Sequence, residues 1–173
     1  VAESYSKLRK DIPHHDADQI LESIMKAADF LRREDEPGVL TNHQAIAAAT
    51  LLRISELVDE SLGAKLRASA MERVKVCLSR QSNEGWFVEY DSADLGYLSV
   101  TVSFLAKCYK RTDDKKLLAS LQKAIEFASY FVYPDGSYGG LEGSRHTSHF
   151  YPLGFEMLSS EIPLAGAISS AVA

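Results

Sequence analysis

The chain is poor in several things. Its two cysteines, Cys77 and Cys108, form no Cys-x-x-Cys pair. Both fall within helical patterns, where a thiol acts as a small apolar side chain; a disulfide between neighbouring helices is the alternative. No apolar run reaches the roughly 18 residues that would cross a bilayer, which speaks against a membrane span. Lysine and arginine form no long cluster and the net charge is -5. That balance argues against a nucleic-acid surface. No signal-peptide pattern is present, and the chain opens at Val1 without a methionine, so a processed chain or a fragment is expected. Tryptophan occurs once, at Trp86.

What remains is ordinary for a globular chain: 173 residues, 46% apolar and 25% charged. That length fits one domain, or part of a larger one. The distinctive stretch is Gln81 to Tyr97, QSNEGWFVEYDSADLGY. Weaker copies of its core flank it, at Glu36-Pro37-Gly38-Val39-Leu40 and Pro134-Asp135-Gly136-Ser137-Tyr138. Their glycines, Gly38, Gly85 and Gly136, are 47 and 51 residues apart. A helical hairpin plus its connecting loop consumes about that length, so a repeat architecture is expected.

Helical periodicity fits this reading. Residues 1–15 look polar and irregular, with Pro13-His14-His15 in a solvated loop. A first helix is predicted from Ala17 to Arg33, capped by Asp16. A second runs from Asn42 to Val58, with Thr41 as its cap, and Ala45-Ile46-Ala47-Ala48-Ala49 is apolar around the whole circumference. A third, Ala64 to Arg80, is amphipathic. A fourth, Tyr97 to Arg111, is capped by Asp94 and again has little polar surface. A fifth, Lys115 to Phe131, is amphipathic and joined to the fourth by the short Thr112-Asp113-Asp114 link, which makes the two antiparallel neighbours. Pro152 to Ala173 reads as one more helix. A buried helix followed by a wet one, twice over, is the pattern of an all-α toroid or superhelix with an inner and an outer ring. At this length an incomplete arc is expected, not a closed ring.

In such an arc the long loops bring side chains to one mouth. Asn42, His43 and Gln44 open the second helix. Trp86, Glu89, Tyr90 and Asp94 precede Tyr97 at the start of the fourth. The third loop holds Asp135, Tyr138, Glu142, Arg145, His146, His149 and Tyr151. Rings that stack on C–H faces, with polar groups that bond hydroxyls, suit a poly- or oligosaccharide. Other roles stay open. Asn42 can simply cap a helix. Trp86 is expected to be a largely buried plug between hairpins, with a sugar platform as the alternative. His146 and His149 hold a metal only with a third ligand such as Glu142, so no metal and no cofactor is expected.

The Asn42-His43 pair at the head of an alanine-rich helix resembles heparinase II/III-type and related alginate-lyase proteins. The Glu84-Gly85-Trp86-Phe87-x-Glu89 segment and Tyr97 at the next helix start extend the resemblance, which covers Leu40 to Tyr97. It implies an α/α-toroid domain and β-elimination on uronate-containing glycans, in a periplasmic or secreted setting. In that chemistry Asn42 would neutralise the uronate carboxylate, His43 would be base or carboxylate partner, and Tyr97 base or acid. By residue type, and not through the resemblance, Trp86, Glu89, Tyr90, Tyr138, Arg145 and His146 are expected to bind substrate, Arg145 through a bidentate carboxylate contact. Two departures stand out. No arginine directly precedes Tyr97, and the β-sheet domain that commonly follows such toroids is not in the chain. A non-catalytic carbohydrate-binding or protein-binding repeat module is the alternative.

Overall fold

The computed structural model of the chain describes residues 1–34, 40–139 and 149–172. These are all-helical, with no strand among them. The helices are α1 (Ala2–Leu8), α2 (His14–Arg33), α3 (Thr41–Ser55), α4 (Glu60–Ser79), α5 (Leu95–Thr112), α6 (Lys115–Ser129), α7 (Leu153–Met157) and α8 (Pro163–Val172). None is long and apolar enough to cross a membrane among the described residues.

Several helix starts follow from their caps. The side chain of Asp94 accepts from the Tyr97 backbone N–H at 2.9 Å, as expected. Asp59 does the same for Leu62 at 3.1 Å, which starts α4 four residues ahead of the predicted Ala64. Asp114 accepts from Lys116 and Leu117 and opens α6. Asp16 does not cap α2. The helix begins at His14 behind Pro13, and Asp16 lies in its first turn, where a carboxylate favours the positive end of the helix dipole. His14 and His15 are therefore helical, not in a loop.

The N-terminal segment corrects the sequence reading in another way. Residues 2–8 form α1, although seven residues make a marginal helix alone. Tertiary contacts hold it. Tyr5 is buried in the core, and Glu3 pairs with Arg53 and Arg111. The C-terminal stretch is two helices, not one, with Pro163 opening α8 in the first helical position, where its missing N–H costs nothing.

The split between buried and amphipathic helices is clear. Eleven of the fifteen residues of α3 and twelve of the eighteen of α5 are buried. In α4 the buried positions are Gly63, Leu66, Ala70, Val74 and Cys77, one stripe at helical spacing. Helix α3 packs on α4 and α5, α5 on α6 and α7, and α7 on α8. The buried helices α3 and α5 thus neighbour one another, and α7 covers α5 through its buried Gly154 and Phe155. The α5–α7 approach is very close. A Cβ at Gly154 would lie 2.4 Å from the Ser103 Cα. Ser103 Oγ accepts from the Gly154 N–H and donates to the Tyr151 carbonyl, both at 3.1 Å.

The two described repeat loops share one hydrogen-bond scheme. In the first, Val88 N–H donates to Arg80 O, Ser82 N–H to Trp86 O, and Gly85 N–H to Ser82 O. In the second, Gly139 N–H donates to Phe131 O, Tyr133 N–H to Ser137 O, and Gly136 N–H to Tyr133 O. The turn glycines have φ of 108° at Gly85 and 83° at Gly136, a region open mainly to glycine. Each turn then sends one aromatic ring inward, Phe87 at 1% exposure and Tyr138 at 2%. The copy around Gly38 lies outside the described residues.

Candidate functional site

The N-terminus of α3 and the loop before α5 meet through a buried carboxylate. Glu89 is 1% exposed. Its Oε1 accepts the Asn42 backbone N–H at 2.6 Å, and its Oε2 accepts the Asn42 side-chain amide at 2.9 Å. The Thr101 hydroxyl, one helix further on, lies 3.5 Å from Oε1. Next door, Thr41 donates its hydroxyl to the Val88 carbonyl at 2.7 Å. Burial pushes the Glu89 carboxyl above its ordinary range. The two Asn42 donors and the charge of His43 pull the other way, and Asp94 adds to the rise.

This geometry revises two expected roles. The Asn42 side chain is 2% exposed and its amide is committed to Glu89, so it is not placed to neutralise a substrate carboxylate. Glu89 is likewise an internal strut, not a sugar contact. Tyr138 is a third correction. Its ring packs 4.9 Å from Phe150, and its hydroxyl donates to the Leu95 carbonyl at 3.2 Å. Burial and the nearby Asp94 charge push that hydroxyl upward, away from proton transfer. With 2% exposure the ring offers no face to a ligand.

Four expected residues reach solvent: Trp86, His43, Tyr97 and Tyr90. His43 is exposed one position beyond Asn42, close enough for its charge to act on Glu89. Tyr97 is half-buried in the first turn of α5. Tyr90 is 53% exposed, and its ring centroid lies 5.7 Å from that of Tyr97 at an interplanar angle of 47°. The turn carrying Tyr90 explains its direction. Glu89 and Ser92 exchange both backbone hydrogen bonds, at 2.8 and 2.9 Å. Tyr90 and Asp91 between them have φ of 48° and 66°, the two left-handed positions of a tight hairpin turn. Glycine or asparagine usually fills such positions, so this turn is strained. It holds Glu89 inward while Tyr90 faces water.

Trp86 is half-buried, and its indole N–H donates to Glu84 at 2.9 Å. The expected plug is instead its neighbour Phe87. Arg145 and His146 lie outside the described residues, as does Glu142. Among the described residues no group of three histidine, cysteine, aspartate or glutamate side chains is arranged to hold a metal ion. Thr41, expected as the cap of α3, is instead its first residue behind Leu40 and turns its hydroxyl to the loop, and sequence reasoning did not find Thr101, whose hydroxyl also reaches Glu89. A 47-residue separation links Asn42 to Glu89, the same interval as Gly38 to Gly85, and that repeat interval is the signal that could have paired them.

Comparisons of the chain with family models, curated proteins and solved structures found no match. The likeness to heparinase II/III-type proteins therefore rests on the motif residues alone.

Proposed function

We propose that this chain is a carbohydrate-active domain of the α/α-toroid type, an arc of helical hairpins with a sugar-binding edge at the N-terminal ends of α3 and α5. The observation that carries the reading is the Tyr90–Tyr97 ring pair, with centroids 5.7 Å apart and Tyr90 turned to water. Tilted rings with one polar tip each present the C–H-stacking surface and the hydroxyl partners that a pyranose requires. The strained turn at Tyr90 and Asp91 supports a functional reason for turning that ring outward.

Binding is favoured over cleavage. β-Elimination needs a group that stabilises charge on the substrate carboxylate, and the Asn42 amide is already bonded to Glu89. The catalytic reading keeps one support: His43 and Tyr97 both reach solvent at this edge, and each is a residue type able to move a proton.

The test is calorimetric titration with neutral and uronate oligosaccharides, alongside ultraviolet absorbance of the uronate mixtures. Binding without absorbance growth, weakened about 2- to 13-fold in Tyr97→Ala by loss of ring stacking, supports the binding domain. Absorbance growth that disappears in Tyr97→Phe, with folding retained, supports the lyase. Absence of binding to every glycan class sinks both.

A further inference from the structure

A groove lies between α6 and the turn at Gly85, and none of His43, Tyr90 and Tyr97 lines it. It encloses about 580 Å³. Its apolar floor is Phe127 and Phe131, whose ring centroids are 5.1 Å apart, with Tyr130 beside them at 77% exposure. Asn83 and Glu84 line it from the turn, and Lys123 and Glu126 from the helix. We propose that this groove is a second carbohydrate subsite that takes a pyranose unit without a carboxylate, stacked on Tyr130.

Two observations support a built site. The first is rigidity. Gly85 sits so tightly on α6 that a Cβ there would lie 2.3 Å from the Lys123 carbonyl oxygen. Gln81 donates through its side-chain amide to the Gly85 and Ser120 carbonyls, at 2.8 and 2.9 Å, and accepts from the Ser120 hydroxyl at 2.7 Å. The turn and the helix are thus locked together, and the Glu84 carboxylate is oriented by the Trp86 indole. A groove held in shape before binding loses less to ordering on contact.

The second is chemistry. An exposed aromatic ring bounded by an amide, two carboxylates and an ammonium offers a stacking face with both acceptors and donors for hydroxyls. The two carboxylates outnumber the single ammonium, so a uronate unit meets net repulsion. A sugar without a carboxylate does not meet that penalty. The ligand class rests on the sugar-binding reading of this end of the molecule, but the residues are separate from His43, Tyr90 and Tyr97.

Trp86 is the sole tryptophan, and its bond to Glu84 makes it a built-in reporter for this groove. The experiment titrates the whole chain with cellohexaose, maltohexaose, a polygalacturonate oligomer and a chitosan hexamer. It follows Trp86 emission and binding heat together. The expected result is saturable binding of a neutral hexasaccharide with an emission change. Tyr130→Ala should weaken it at least about fivefold, while Tyr97→Ala leaves the emission change intact. Tyr130 is mostly in water, so its loss does not threaten the fold. Loss of the response in Tyr97→Ala but not in Tyr130→Ala assigns sugar to the first edge only and overturns the groove. Tighter binding of the polygalacturonate oligomer than of the neutral ones overturns the charge argument, and absence of both heat and emission change overturns the site.

Discussion

Asn42 donates twice to one carboxylate: its backbone N–H to Glu89 Oε1 and its side-chain amide to Glu89 Oε2, at 2.6 and 2.9 Å. The pair joins the start of α3 to the loop that delivers α5, and both side chains are buried. Asn42→Ala removes one of these bonds and leaves a buried acid short of a donor. Hydrogen bonds to charged groups contribute about 1.5–3 kcal/mol, and the variant should lose that much in urea unfolding. A loss below about 0.5 kcal/mol would show that water or another donor takes the amide's place.

Glu89 also predicts a pH effect, and its sign is opposite to that of a salt-bridged acid. Burial raises its folded value above the ordinary 4.5. The folded chain therefore holds the Glu89 proton more tightly than the unfolded chain does. Its contribution to stability is fully present below 4.5 and is lost as pH rises through the folded value. Glu89→Gln removes this titration while keeping an acceptor for the Asn42 N–H, and rotation of the Asn42 amide lets its oxygen face the new donor. The variant should gain stability relative to the parent as pH rises from 4.5 through the folded value, read from urea midpoints at each pH. A constant or falling difference would contradict the raised value.

Phe87 and Trp86 should rank opposite to their sizes. Phe87 is 1% exposed in the core, and Phe87→Ala should cost about 3–5 kcal/mol through the cavity it leaves. Trp86 is half-buried and bonded to an exposed carboxylate, so Trp86→Ala should cost less. Denaturation of the two variants under one set of conditions checks the order.

The same pair shows where sequence reading reached its limit. The buried character of α3 and α5 was legible, because Ala45 to Ala49 and Val100 to Ala106 leave no polar face of useful width. The stripe of α4 and the Asp94 cap were legible for the same local reasons. The direction of Trp86 was not. The loop is extended there, so successive side chains alternate, and the Gln81–Phe87 bridge sets the register that turns Gly85, Phe87 and Glu89 inward. Nothing local in the sequence selects that register over the one that would bury the larger ring. Asn42 was found, but its partner lies 47 residues away, and a capping residue and a strut look alike without it. Helix α1 was missed because its stability lies in Tyr5 burial and the Glu3 ion pairs, not in its own periodicity.

Gly85 joins the repeat turn to α6, and both of its constraints can be tested with one methyl group. Its φ of 108° is a conformation that L side chains rarely adopt, and strain of that kind costs about 1–3 kcal/mol. The added Cβ would also lie 2.3 Å from the Lys123 carbonyl oxygen, a backbone atom that cannot rotate away. Gly85→Ala should therefore destabilise the chain by more than the strain alone and pull the turn off the helix. Gln81→Ala should act on the same junction more mildly, since it removes hydrogen bonds without adding a clash. Amide exchange at Gly85 and around Ser120, measured with urea unfolding, separates the two. In Gly85→Ala both segments should lose protection together, because each is the other's support. If Gly85→Ala matches the parent in stability and exchange, the turn tolerates a Cβ, and the lock between the turn and α6 is not what keeps the groove open.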